Sequence, residues 1–150
     1  MTKKTRTFLL TVIPLLLLFF IAWQITSRYE LTYRANWGFS LPITSLCREI
    51  YAADSGASFH GDGIRCHVYS YKYEDDLKLL FTWAADRTTD AGIPCATTAS
   101  LWLDALDVPT AFRPDADACT FWYNSQPDGS ELIVLMNPEE NRLYILERFL

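Results

Sequence analysis

The chain has 150 residues, of which 13 are basic and 18 acidic, and its formal net charge is −5. This length suits one ordinary domain with a short additional segment. The portion after residue 27 holds all 18 acidic residues and no Lys/Arg cluster. Such a surface repels phosphate backbones, so the composition argues against nucleic-acid binding.

A long apolar segment, Phe8 to Ile25, follows a short basic tip that contains Lys3, Lys4 and Arg6. As a helix, its eighteen residues would extend about 27 Å, close to the roughly 30 Å hydrocarbon core of a bilayer. Basic residues before such a segment keep the N-terminus in the cytoplasm. The sequence therefore predicts a single transmembrane helix in contact with the lipid bilayer, with the C-terminal domain outside the cell membrane.

A cleaved signal peptide is the alternative reading of this segment, and the protein would then be secreted. Such a signal needs a shorter apolar core and small residues at a cleavage site. The best candidate site, Ile25-Thr26-Ser27, fits this requirement poorly. The uncleaved anchor is therefore preferred.

The predicted domain organisation has three parts: residues 1–27 as tip and anchor, 28–42 as a tether, and 43–150 as an extracytoplasmic domain. Gly38 and Pro42 would interrupt a long regular element, which is why the second part is predicted to be a tether. All 18 acidic residues but only ten basic residues follow the anchor, so that portion carries a formal charge of −8.

Four cysteines, Cys47, Cys66, Cys95 and Cys119, lie after the anchor. An even number of cysteines in an oxidising compartment indicates two disulfides, for which three connectivities are possible. No C-x-x-C spacing occurs, so redox and zinc motifs lack their signature. The preferred pairs are Cys47–Cys66 and Cys95–Cys119.

Two strands, Ile43 to Ala53 and Ile64 to Tyr73, are predicted to form a hairpin around a turn-rich connector. A hairpin centred near Gly56 and Ala57 would place Cys47 and Cys66 opposite each other, which is the reason for the first pair.

Two helices and a meander complete the predicted fold. Apolar residues at helical spacing from Leu77 to Ala84 predict the first helix. The second helix is predicted from Thr98 to Asp107, with Thr97 or Thr98 as its N-cap. The meander strands are Cys119–Asn124, Glu131–Asn137 and Arg142–Phe149. The middle strand is apolar on both faces and should be central. The expected class is α+β: an antiparallel sheet of about five strands with two helices on one face.

The most distinctive loop is Phe59-His60-Gly61-Asp62-Gly63. It could present His60 and Asp62 to a metal or a substrate, or it could be a structural turn. The structural reading is favoured, because glycines that allow positive φ explain the loop without chemistry.

This loop, with the aromatic-rich strand that follows as far as Tyr71, resembles small secreted or membrane-anchored bacterial proteins of uncharacterised function. The resemblance implies that the loop belongs to their fold, and it implies no activity.

One face of the second strand carries a possible binding surface. By alternation, the residues on that face are Arg65, His67, Tyr69, Tyr71 and Tyr73. Amphipathic aromatics beside arginine are common at recognition surfaces. The alternative is that the rings are core.

The sequence thus predicts a membrane-anchored module of the cell envelope that binds an unknown protein or ligand. No catalytic residue, metal site or cofactor is predicted. The alternative is a small hydrolase or metal-dependent enzyme centred on His60 and Asp62.

Overall fold

The computed structural model describes residues 12–21, 29–38, 41, 48–56, 62–72 and 95–150. The chain divides into two compact units, Met1–Leu41 and Pro42–Leu150.

The described part of the first unit contains two helices. Residues 12–21 form α1, and Tyr29–Trp37 form α2. The predicted membrane span, Phe8 to Ile25, continues beyond α1 at both ends, outside the described residues. Within the described ranges, no helix is long and apolar enough to cross a membrane.

Helix α2 lies in the segment for which the sequence predicts a tether without a long regular element. Residues 29–37 therefore contain a short helix that the sequence did not predict, and the role of residues 28–42 as a tether stays a prediction. The amide of Gly38 donates to the carbonyl of Arg34 (3.1 Å), and Gly38 has a φ of +65°. A glycine in the left-handed conformation commonly ends a helix, so Gly38 stops α2 after nine residues and does not prevent it.

The second unit contains a five-stranded sheet in which every neighbouring pair is antiparallel. The strands are β1 Arg48–Asp54, β2 Gly63–Ser70, β3 Thr120–Ser125, β4 Glu131–Asn137 and β5 Arg142–Phe149. Their order is β1-β2-β5-β4-β3. The predicted α+β class with an antiparallel sheet of about five strands is confirmed.

Strands β4 and β5 have the bounds that the sequence predicts, because turn residues separate two apolar runs. Before β4, Gly129 adopts a φ of +88° and the Asp128 carboxylate accepts from the Ser130 amide (2.9 Å). Before β5, the Asn137 side chain accepts from the amide of Glu139 (3.0 Å). These turns hold β3, β4 and β5 in a continuous meander.

The hairpin of β1 and β2 has a different register from the predicted one. Ala53 pairs with Cys66 and Asp54 with Arg65, so the centre falls three residues later than Gly56 and Ala57. Cys47 lies outside the described residues, but the position opposite Cys66 belongs to Ala53. The geometric reason for pairing Cys47 with Cys66 is therefore wrong.

The third described helix, α3, is Cys95–Ala105, and it begins earlier than the predicted Thr98. The predicted N-caps Thr97 and Thr98 lie inside it. Pro94 directly precedes the helix, and proline is compatible with a helix start, where an amide hydrogen is not needed. The predicted first helix, around residues 77–84, lies outside the described residues.

The C-terminal end of α3 is closed by backbone and side-chain hydrogen bonds. Asp107 takes a φ of 50°, and the Val108 amide donates to the Leu103 carbonyl (3.0 Å). The Arg113 guanidinium donates to the carbonyls of Val108 (2.7 Å) and Leu103 (3.3 Å) and pairs with Asp104. Arg113 thereby gives the Leu103 carbonyl a second donor and fixes the Val108 carbonyl just beyond the helix end.

Helix α3 packs on one face of the sheet, called here the helix face. Its core includes Cys66 and Val68 of β2 together with Ala99, Trp102 and Leu103 of α3. Further buried members of this core come from the interior strands: Ile133, Leu135, Tyr144 and Leu146.

The opposite face, called here the second face, is also buried. Alternation and register assign these buried side chains to it: His67, Tyr69, Trp122, Leu132, Val134, Met136, Leu143, Ile145 and Glu147. The prediction that β4 is covered on both faces is confirmed, and β5, at the centre of the sheet, is covered in the same way.

Candidate functional site

Five of the predicted binding residues are in the described part of the chain, and they lie on or beside β2. Arg65, His67 and Tyr69 belong to β2, and Tyr71 directly follows it. Asp62 precedes the strand and is half-buried. His60 and Tyr73 lie outside the described residues, so a site shared by His60 and Asp62, and the enzyme built on it, stay predictions.

The tyrosines do not form an open recognition surface. Tyr69 is 8 % exposed and Tyr71 is 3 % exposed. Rings at this burial belong to the core, so the predicted exposed aromatic face is wrong for these two residues.

Gly63 has a role other than the predicted one. It is the first residue of β2, and its φ is not positive. A Cβ at this position would lie 3.0 Å from the Ser55 hydroxyl, which accepts from the Ile64 amide (2.9 Å). Gly63 therefore permits the close approach of Ser55 that joins the ends of β1 and β2.

A row of charged side chains crosses β1, β2 and β5 on the second face. In the register, Asp54 lies opposite Arg65, and Arg65 lies opposite Glu147. The Arg65 Nε donates to Asp54 Oδ2 at 3.0 Å, and its guanidinium stacks 4.7 Å from the centre of the Phe149 ring. Glu147 is fully buried. Arg65 is the register neighbour of Glu147 on β2, and a cation nearby reduces the cost of burying a carboxylate.

His67 is held by an acid from the neighbouring strand. Its Nδ1 lies 2.5 Å from Glu49 Oε1, and the imidazole is 2 % exposed. The register of β1 shifts between Glu49 and Tyr51, which is where a bulge re-aims a side chain. The ring also stacks against Tyr69 with centroids 6.4 Å apart. The contact with Glu49 orients the imidazole. Because the imidazole is buried, a dissolved substrate cannot reach it directly.

The residues around these pairs do not form a metal centre. Across the described ranges, no group of three or more His, Cys, Asp or Glu residues is arranged to hold a metal ion. The geometry is that of a polar network between strands, in which His67 and Glu147 are buried and Glu49 and Asp54 are exposed. Such cross-strand contacts favour one strand pairing.

Three members of the network were missed by sequence reasoning: Glu49, Asp54 and Glu147. The sequence did contain a sign of the unusual position of Glu147. By alternation it shares a face with Leu143 and Ile145, so an acid stands where the strand pattern expects an apolar residue. No comparable signal existed for Glu49, because its contact depends on the register shift.

A second polar cluster lies on the helix face. Glu131 accepts from the Tyr123 hydroxyl at 2.6 Å and pairs with Arg148 at 2.6 Å. The Arg148 guanidinium lies 5.7 Å from the centre of the Trp102 ring, which links the sheet to α3. The hydrogen bond to Glu131, together with burial, raises the pKa of Tyr123. The phenol therefore stays protonated as a donor at neutral pH.

The three described thiols of the second unit all have raised pKa values, and desolvation is the largest cause in each. Burial raises the pKa of Cys66 to about 12, and burial with nearby Asp115 and Glu140 raises that of Cys119 to about 12. Burial and Glu131 also raise the pKa of Cys95. Raised pKa values reduce the thiolate fraction at neutral pH, and the thiolate is the nucleophilic form.

No disulfide joins the cysteines that the structure describes, Cys66, Cys95 and Cys119. The predicted bridges, Cys47–Cys66 and Cys95–Cys119, therefore stay predictions.

The chain matches no family model, no curated protein and no solved structure at a significant level.

Glu49→Ala tests the contact that holds His67. Removal of the carboxylate takes a hydrogen-bond partner from a buried imidazole, and we expect the free energy of unfolding to fall by about 1–3 kcal/mol. Urea denaturation of the full chain measures the change. Arg48→Ala, at the exposed neighbouring position, is the matched control and should change stability by less than about 0.5 kcal/mol. Equal stability of the two variants would contradict a structural role for Glu49.

Alkylation by iodoacetamide tests the protection of Cys66. With a pKa of about 12 in place of 9.0, the thiolate at pH 8 is about a thousandfold rarer than for an ordinary thiol. We expect negligible labelling of Cys66 in the native protein and rapid labelling in urea without reductant, read by peptide mass spectrometry. Protection that persists in urea until a reductant is added would contradict the free thiol and would support a disulfide.

Proposed function

We propose that the protein is a membrane-anchored module of the cell envelope, in which a transmembrane helix holds an extracytoplasmic α+β domain that binds a protein or ligand. In this proposal Phe8 to Ile25 span the bilayer, residues 43–150 lie outside, and a second helix, formed around residues 77–84, joins α3 on the helix face.

The observation that carries the proposal is the surface of α1. All its large apolar side chains from Ile13 to Ile21 are 46–67 % exposed, and consecutive residues point in all directions around a helix. These residues are Ile13, Leu15, Leu16, Leu17, Leu18, Phe19, Phe20 and Ile21. A helix that is apolar on every side is stable when lipid surrounds it.

The distribution of charge supports the same orientation. Three basic residues, Lys3, Lys4 and Arg6, precede the apolar segment, and all acidic residues follow it. Basic residues are retained on the cytoplasmic side, which places the acidic portion outside.

His67 is a poor candidate for a catalytic residue, and the alternative enzyme centred on His60 and Asp62 does not depend on it. The imidazole of His67 is 2 % exposed and is oriented by Glu49. A general acid or base must reach the proton that it transfers, and this imidazole is enclosed in the sheet.

The double variant Leu16→Arg/Phe19→Arg tests the anchor. Each arginine near the centre of a membrane helix costs about 2.5–3.5 kcal/mol, so we expect the protein to move from the membrane fraction to the supernatant after alkaline carbonate extraction. Leu101→Arg, at an exposed apolar position of α3, is the matched control and should stay in the membrane fraction.

Three results would count against this proposal. Wild-type protein in the supernatant would contradict the anchor, and a C-terminal tag protected from external protease in intact cells would contradict the outward domain. A mature N-terminus beyond Ser27 would support the secreted alternative.

A further inference from the structure

The outer edge of β3 has the geometry of a strand that can be extended by another strand. In the described part of the chain, β3 pairs with β4 on one side and has no strand on the other. Its register with β4 runs from Thr120 to Ser125 without a shift. The edge is therefore regular over its whole length of six residues.

The turn before β4 shows which backbone groups point outward. The Gln126 amide donates to the Ser130 carbonyl (2.8 Å), so this is a hydrogen-bonded pair. Bonded and non-bonded pairs alternate along an antiparallel ladder. Counting back from Gln126, the residues whose N–H and C=O groups face away from β4 are Phe121, Tyr123 and Ser125.

The residues that carry these outward groups are not buried. Phe121 is 38 % exposed, Ser125 is exposed and Tyr123 is partly exposed. The strand sequence, TFWYNS, contains no charged residue and no proline. Uncharged, regular edges are the ones that pair with further strands.

The other edge of the sheet is protected by the usual devices. Strand β1 carries Arg48, Glu49 and Asp54, and its register shifts between Glu49 and Tyr51. Charges and bulges prevent edge-to-edge pairing. The contrast between the two edges singles out β3.

We propose that β3 pairs with β3 of a second copy of this chain, in an antiparallel arrangement about a two-fold axis at Tyr123. Phe121 of each copy then lies opposite Ser125 of the other, and the three outward residues exchange roughly six backbone hydrogen bonds. The two five-stranded sheets become one continuous sheet.

A second copy fits this edge because the pairing is self-complementary. A two-fold axis brings each side chain near its equivalent, so a charged strand would repel itself, whereas TFWYNS carries no charge. The second copy also supplies an open strand of equal length, and the large Phe121 side chain meets the small Ser125. The dimer does not depend on the proposed membrane anchor.

The mass of the full chain in detergent, measured by size-exclusion chromatography with light scattering, tests the dimer. We expect the protein mass of two chains for the wild type and of one chain for Phe121→Lys, because lysine introduces charge at a pairing edge. Ala52→Lys, at an exposed position of β1 on the other edge, is the matched control and should remain dimeric.

Ser125→Pro provides a second disruption, since it removes an outward amide that β4 does not use. If circular dichroism shows that Phe121→Lys does not fold, the mass of Ser125→Pro tests the dimer in its place. A monomeric wild type would overturn the proposal. A dimer that persists in folded Phe121→Lys or Ser125→Pro would also overturn it, because the contact would then lie elsewhere.

Discussion

The burial of β5 on both faces is the constraint on which the second unit depends. Every residue from Leu143 to Glu147 is buried, and the strand lies at the centre of the sheet with β2 and β4 as neighbours. Side chains that alternate between two faces can all be buried only if both faces are covered. Helix α3 covers the helix face, with Trp102 and Leu103 packed in the core. On the buried second face, polar side chains need partners within the sheet.

The polar residues of the second face follow from this constraint. An acid at position 147 falls on a buried face, and Arg65 lies directly across from it in the register, paired in turn with Asp54. His67 is buried in the same face and is held by Glu49. A buried charge without such neighbours would cost several kcal/mol, so these residues are explained by the architecture before any chemistry is invoked. The exposed apolar side chains of α1 are not explained by packing within the protein. This difference from the second unit motivates the proposed membrane anchor.

The sequence predicted the elements best where two local signals agreed. Strands β4 and β5 have the predicted bounds because apolar runs are separated by residues that form specific turns. Helix α2 was missed because Gly38 was interpreted as an interruption, although a glycine can equally end a helix. The register of β1 and β2 could not be predicted, because it depends on the bulge after Glu49 and on contacts across the sheet. The network around His67 was missed for the same reason: its partners are distant in sequence and are brought together by register.

Hydrogen exchange of the backbone amides, followed residue by residue in the full chain, tests the central claim most directly. If burial of β5 on both faces holds the sheet together, the amides of Leu143 to Glu147 should exchange only through global unfolding, with the free energy that urea denaturation gives. The amides at the edge, in β1 from Arg48 to Asp54, should exchange through smaller openings and with lower protection. Exchange of the β5 amides as fast as that of the β1 amides would contradict the account.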